Sequence, residues 1–239
     1  IDKENKPDLP LASGEFSPTL GTAIVAISPI TSFAMGIMFK SPPLLYSILT
    51  VFLLATAYSL HLPFLRWKKS AVLTSVCIIS VRALVIPLGF FLHMQKYVLG
   101  RPAIITKPVM FAVAFMAIIS TVIAVIKDIP DVDGDEAFGL QSLTIRLGKE
   151  KVFWLGVSTL LMAYGTAVIV GASSTLMSNK IITVLGHCIL ASILWTRART
   201  VVISEPASTL SFYLFVWKLL YAEYLLDPIC TLKRCISNW

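Results

Sequence analysis

The chain has 239 residues, of which 56% are hydrophobic and 14% charged, with a formal net charge of +7 and a mean hydropathy of +0.82. Soluble domains carry about 25% charged residues, so this composition excludes a water-soluble globular protein and points to an integral membrane protein. The basic residues are scattered among polar connections without forming a stripe, so the positive charge reads as membrane topology and not as nucleic-acid binding.

The chain opens on Ile1-Asp2-Lys3-Glu4, polar and with no initiator Met. No signal or transit peptide is recognisable, so targeting information is expected upstream of this start. Apolar windows of membrane-spanning length then follow near 18–39, 43–61, 71–92, 108–126, 151–172, 180–197 and 209–227. Proline or polar clusters separate them, and the period-2 alternation of a membrane barrel is absent, so the spans are predicted to be helices. With no internal repeat and no low-complexity linker, one all-α membrane domain is expected over 1–239.

Alternation of the spans puts 1–17, 62–70, 127–150 and 198–208 on one face, and a modest excess of Lys and Arg there marks it as the inner face. The acidic residues are more lopsided: all but Glu223 and Asp227 lie on that face. Acids do little to set topology, so this face is the expected place of the chemistry.

The strongest local signal is Lys127-Asp128-Ile129-Pro130-Asp131-Val132-Asp133-Gly134-Asp135, directly after an apolar span. So many carboxylates at a membrane edge repel one another unless a cation neutralises them. Mg²⁺ is the candidate, because it binds a few carboxylates and leaves positions open for substrate phosphates. Read as a helix, Asp128, Asp131 and Asp135 fall at i, i+3 and i+7 on one face while Asp133 points away, with Pro130 tolerated only near a helix start or a kink. The bland reading is a solvated acidic loop.

Two further segments on the same face carry bases. One runs from Asp2 through Lys6 to Glu15; the other, Tyr58 to Lys69, contains Arg66 and Lys68, and Arg146 closes the loop after the acidic stretch. Acids beside bases at one end of an apolar bundle suit a ligand with a polyanionic head and a greasy tail. Basic anchoring of the inner face accounts for Arg66, Lys68 and Lys69 equally simply. Tyr58 is placed either to bind phosphate or as an ordinary interfacial tyrosine. Within the spans, Arg82 is expected to face the bundle cavity or an acid partner, and Lys218 and Glu223 each to pair with another helix, a structural ion pair weighing at least as much as substrate contact for all three. Cys77, Cys188, Cys230 and Cys235 form no framework, and His61, His93 and His187 are isolated in sequence.

At this point the residues resemble a family. Lys127-Asp128-x-x-Asp131-x-x-Gly134-Asp135 is similar to the second Asp-rich motif of the UbiA superfamily of intramembrane prenyltransferases. The run Asp2-Lys3 through Leu9-Pro10-Leu11-Ala12-Ser13-Gly14 resembles the tail of that family's first motif. Phe91-Leu92-His93-Met94-Gln95, Val152-Phe153-Trp154, Met162-Ala163-Tyr164-Gly165 and Trp217-Lys218-Leu219-Leu220-Tyr221-Ala222-Glu223-Tyr224 extend the likeness over essentially the whole chain. The wording is nearest to the plant plastid branch of homogentisate phytyltransferases and flavonoid or coumarin dimethylallyltransferases.

The resemblance implies a transmembrane bundle with about seven of the family's nine helices present, the N-terminal part lacking. It implies a multi-pass protein of the plastid (chloroplast) membrane that transfers a dimethylallyl, geranyl or phytyl group from its diphosphate to a ring carbon of a phenolic acceptor. Mg²⁺ is expected at Asp2, Asp128, Asp131 and Asp135, with the last three carrying catalysis. Arg66, Lys68, Arg146, Lys6 and Tyr58 are expected on the diphosphate. Lys6 is the candidate to replace an Arg that many relatives carry where Leu9 stands. Alternatives are a homogentisate phytyltransferase of tocopherol synthesis within the class and a non-catalytic membrane transporter outside it. A transporter would be expected to hold its ionisable groups near the bilayer midplane.

Overall fold

A computed structural model describes residues 9–137 and 142–236, the side chains of 69, 71 and 227–236 excepted. Among the described residues the regular structure is entirely helical. Helix α1 (Pro18–Met38) starts where the Ser17 side chain accepts a hydrogen bond from the Leu20 amide, with Pro18 at a position that needs no amide donor. Lys40 takes a left-handed conformation after the helix ends, and Pro42 and Pro43 open α2 (Pro42–Ser59).

The third span is continuous but irregular. It comprises α3 (Ala71–Ile79), a π-helical turn over Ser80–Val85, α4 (Ile86–His93) and a second π-helical turn over Met94–Val98. The first π turn has a local cause. Pro87 lacks an amide proton, so the regular helical bond at that rung is lost. The carbonyl left without that donor is that of Ala83, four residues before Pro87. Separately, the Ser47 hydroxyl of α2 lies 3.0 Å from the Pro43 carbonyl of its own helix and 3.1 Å from the Val85 carbonyl of the third span. Gly89 makes that approach possible, because a Cβ there would stand 1.8 Å from Ser47 Oγ.

The remaining elements are α5 (Lys107–Ile126), α6 (Val132–Ala137), α7 (Leu143–Leu147), α8 (Lys149–Ala172), α9 (Met177–Ala198) and α10 (Pro206–Ile236). Among the described residues, six segments are long and apolar enough to cross a membrane: α1, α2, Val72–Val98, α5, α8 and α9. They coincide with six of the seven windows read from the sequence, and the seventh falls on the first part of α10.

The chain divides into two compact units, Ile1–Thr106 with Asp133–Gln141, and Lys107–Val132 with Ser142–Trp239. In the first, α1 meets α2 through an edge-on Phe33–Phe52 contact with ring centroids 5.6 Å apart. In the second, α5, α8, α9 and α10 enclose a core in which Ile119, Phe153, Leu160, Tyr164 and Phe212 are fully buried. Phe153 and Phe212 pack with centroids 4.8 Å apart, joining α8 to α10.

Candidate active site

Helix α5 delivers the acidic stretch. It is the most apolar of the spans, and buried Ile119, Val122, Ile123 and Ile126 seat it in its unit. The continuous helix expected over 128–135 does not form. Helix α5 ends at Ile126, residues 127–131 are a turn, and α6 begins at Val132.

Pro130 supplies the reason: it has no amide proton, its ring clashes with the carbonyl four residues back, and it disfavours helical backbone at Ile129. The exit tightens accordingly, with Asp128 N bonded to Val125 O at 3.4 Å and Ile129 N to Ile126 O at 3.1 Å. The one-face argument from i, i+3 and i+7 spacing therefore does not apply across the break.

The turn sorts its acids by a different device. Ile129 and Val132 are buried and pin it, which leaves Asp128 and Asp131 on the connecting positions. Asp131 is only 8% exposed, Asp128 and Asp135 are half-buried, and Asp133 is exposed. Asp133 thus differs from the other three, as the sequence suggested, but through burial and not through a helix face. Lys127 Nζ lies 2.8 Å from Asp128 Oδ1, so one carboxylate already has a counter-charge beside it. Asp128 and Asp131 belong to the second compact unit, whereas Asp133 and Asp135 belong to the first.

Among the described residues no three His, Cys, Asp or Glu side chains group in a way that would hold a metal ion. The turn therefore offers no all-protein cage. What it offers is hard carboxylate oxygen with no Cys or His among the donors, on two acids in four residues. That donor set fits Mg²⁺ held by one or two carboxylates, with water and phosphate oxygens completing the shell.

The basic residues fall in different settings. Asp2 and Lys6 lie outside the described residues. In the first unit, Tyr58 is half-buried near the end of α2, and the chain then passes through Phe64 and Arg66, both left-handed, with φ of 66° and 61°. The Trp67 indole donates to the Phe64 carbonyl at 2.9 Å and holds this bend. Two non-glycine residues in that conformation within three positions is a local cost, of the kind that persists where a side chain must be aimed. Arg66 is half-buried with its Nε sealed from solvent and without a hydrogen-bond partner, while Lys68 is exposed. In the second unit, Arg146 is exposed on α7, a helix started by the Ser142 hydroxyl accepting from the Ile145 amide at 3.3 Å.

Of the in-span ions, Arg82 is half-buried on the first π turn. Glu223 meets His187 of α9, a partner on another helix as expected for it. His187 has no role legible in the sequence, because its partner Glu223 lies far along the chain. Its one available signal was a carboxylate, Glu223, inside an apolar helix.

Comparison with known proteins completes the picture. The chain is 54% identical to "Coumarin 8-geranyltransferase 1, chloroplastic" of Citrus limon, over 95% of this chain and 56% of that protein. It is 50% identical to "Homogentisate phytyltransferase 1, chloroplastic" of Arabidopsis thaliana, over 95% of this chain and 58% of that one. With "Naringenin 8-dimethylallyltransferase 2, chloroplastic" of Sophora flavescens the identity is 48%, over 96% and 56% respectively. The chain thus spans a little over half the length of these relatives. No solved structure matches it significantly. The match to the family description covers residues 1–219, and with membrane-spanning helices and an acidic turn at the end of α5 the conclusion is plain: the chain belongs to the UbiA prenyltransferase family.

Proposed function

We propose that the protein of this chain is a plastid-membrane aromatic prenyltransferase, joining the prenyl group of an allylic diphosphate to a ring carbon of a phenolic acceptor. The observation that carries this reading is the acidic turn of Asp128 and Asp131 at the end of α5, in a chain about half identical to prenyltransferases of coumarin, homogentisate and naringenin. Those names share an electron-rich aromatic ring and differ in prenyl length, so the acceptor is assigned as a class.

Asp128, Asp131 and Asp135 are the carboxylates assigned to Mg²⁺, which when bound would neutralise diphosphate oxygens and stabilise their departure. Lys127, beside Asp128, sets a positive charge at the same turn. Arg66 is the base best suited to a phosphate oxygen in the basic loop, because its half-buried guanidinium is always charged and donates in a planar fork that matches phosphate. Lys68, Arg146, Lys6 and Tyr58 are assigned to the diphosphate as well.

As the carbon–oxygen bond of the allylic diphosphate breaks, negative charge grows on the leaving oxygens, where fixed cationic donors help most. The allylic carbon becomes cation-like and is taken by a ring carbon of the acceptor, which then loses its proton. Apolar helices keep out water that would otherwise capture the cation.

Membranes carrying the protein, given dimethylallyl, geranyl, geranylgeranyl or phytyl diphosphate with homogentisate, naringenin or a hydroxycoumarin, test this. The expected result is a carbon-prenylated product with release of diphosphate, abolished by chelation of divalent cations. Chelator-insensitive transfer would overturn the metal assignment, and diphosphate release with no prenylated ring would overturn the acceptor class.

A further inference from the structure

A second polar cluster lies inside the helices of the second compact unit, at bilayer depth. Glu223 of α10 is 0% exposed, His187 of α9 is 3% exposed and Tyr164 of α8 is 0% exposed. Glu223 Oε2 stands 3.3 Å from His187 Nε2, an ion-pair distance at which neither Glu223 oxygen makes a hydrogen bond of standard geometry, and the other ring nitrogen, Nδ1, is 2.6 Å from the Thr183 carbonyl oxygen. From α5, Phe115 meets both rings, edge-on to His187 at 5.7 Å and tilted against Tyr164 at 5.7 Å. The Tyr164 hydroxyl faces Glu223 without a hydrogen bond of standard geometry.

The donors and acceptors restrict the proton count. A carbonyl oxygen only accepts, so Nδ1 must carry a proton. Nε2 then faces a carboxyl oxygen, and one proton is needed between them, since a bare ring nitrogen opposite a carboxylate would set lone pair against lone pair. That proton resides on Nε2, giving imidazolium and carboxylate, or on Oε2, giving imidazole and carboxylic acid. Both forms are neutral as a pair. A second proton would leave a net cation, and removal of the first would leave a net anion, each costly in hydrocarbon.

We propose that His187 and Glu223 form a single-proton lock at mid-bilayer, holding α9 to α10, with the Tyr164 hydroxyl of α8 as a further donor toward the carboxyl group. The lock is separate from the acidic turn. Phe115, which packs on it, precedes the end of α5 at Ile126 by eleven residues, about 16 Å along a helix. Its role is to fix the register of three helices against one another, and through Phe115 the depth at which α5 presents its end.

The experiment is a double-mutant cycle on the protein in lipid nanodiscs: His187→Leu, Glu223→Leu and both together, read by thermal midpoint. Each single change strands one polar group, so each lowers the midpoint by roughly 6–12 °C. The double change strands neither, and the midpoint recovers at least half of that loss. Losses that simply add in the double variant overturn the lock.

Histidine-selective ¹⁵N NMR of the protein with His187 and Glu223 intact, His187 being assigned by elimination with His61→Gln and His93→Gln, asks the same question without touching the pair. The expected spectrum keeps the Nδ1 proton of His187 from pH 5 to pH 9, roughly the range that brackets a free imidazole. Loss of that proton, or free titration near pH 6.5, overturns the assignment even if every variant fails to fold.

Discussion

Two helices of nearly equal apolarity behave very differently in the two compact units. Helix α1 has a mean hydropathy of 1.7 and α8 one of 1.8, yet 6% of the first and 44% of the second is buried within the protein. Val25, Ile30 and Met38 of α1 lie largely exposed, whereas Val152, Val157 and Leu160 of α8 are fully enclosed. In water such a difference would be written in the sequence as an apolar stripe against a polar one. In a bilayer lipid tails are as apolar as leucine, so an outward-facing residue need not be polar. Hydropathy therefore reports that a helix spans, and says nothing of which unit holds the packed core.

The sharpest test of the contrast lies at the acidic turn. Asp131→Ala should lower kcat/KM for prenyl transfer by roughly 10²-fold or more, comparable to loss of one charge-stabilising donor, whereas exposed Asp133→Ala should stay within several-fold. Both are read from initial rates in membranes at matched expression. Equal losses would remove burial as the criterion that separates these acids.

Truncation in the two kinds of span comes next. Leu160→Ala, at a position with no exposure, should destabilise by about 2–3 kcal/mol, and Val25→Ala, 73% exposed, by less than about 0.5 kcal/mol. Denaturant titration in mixed micelles checks both, and similar costs would mean that α1 is as tightly packed as α8.

Close approach rather than burial is at issue in Gly89→Ala. The added methyl would collide with Ser47 Oγ, which is itself anchored on the Val85 carbonyl. A loss of about 1–3 kcal/mol is expected. Arg66→Ala should raise the KM for the diphosphate donor about 10-fold, the weight of one charge-assisted hydrogen bond, with little change in the KM of an acceptor that carries no carboxylate, such as naringenin. Exposed Lys68 and Arg146 should respond less. If all three leave donor dependence unchanged, the basic loop serves only as a topology anchor.

The smallest effect expected is a gain. Gly165 in α8 has open space where a Cβ would go, so Gly165→Ala should stabilise by about 0.5–1 kcal/mol in the same titration.

What was legible in the sequence follows from which forces act locally. The spans could be read because the bilayer fixes their length, and Ser41-Pro42-Pro43 and Ser17-Pro18 mark helix starts by their own backbone chemistry. The acidic turn was legible as a cluster but not in its shape. Pro130 signalled a break, and only the burial of Ile129 and Val132 decides which carboxylates the turn keeps half-enclosed. The Ser47–Val85 contact and the Glu223–His187 pair depend on helices brought together in space. Neither partner can be named from spacing along the chain.

The hydroxyl of Ser47 has a consequence for how the protein is made. In lipid no water competes for a hydrogen bond between helices, and the Val85 carbonyl lies 3.1 Å from a hydroxyl on α2, a helix synthesised first. That hydroxyl is held meanwhile by the Pro43 carbonyl of its own helix, at 3.0 Å. The earlier helix therefore enters the membrane with its polar group already satisfied, ready to share it with the third span when that arrives.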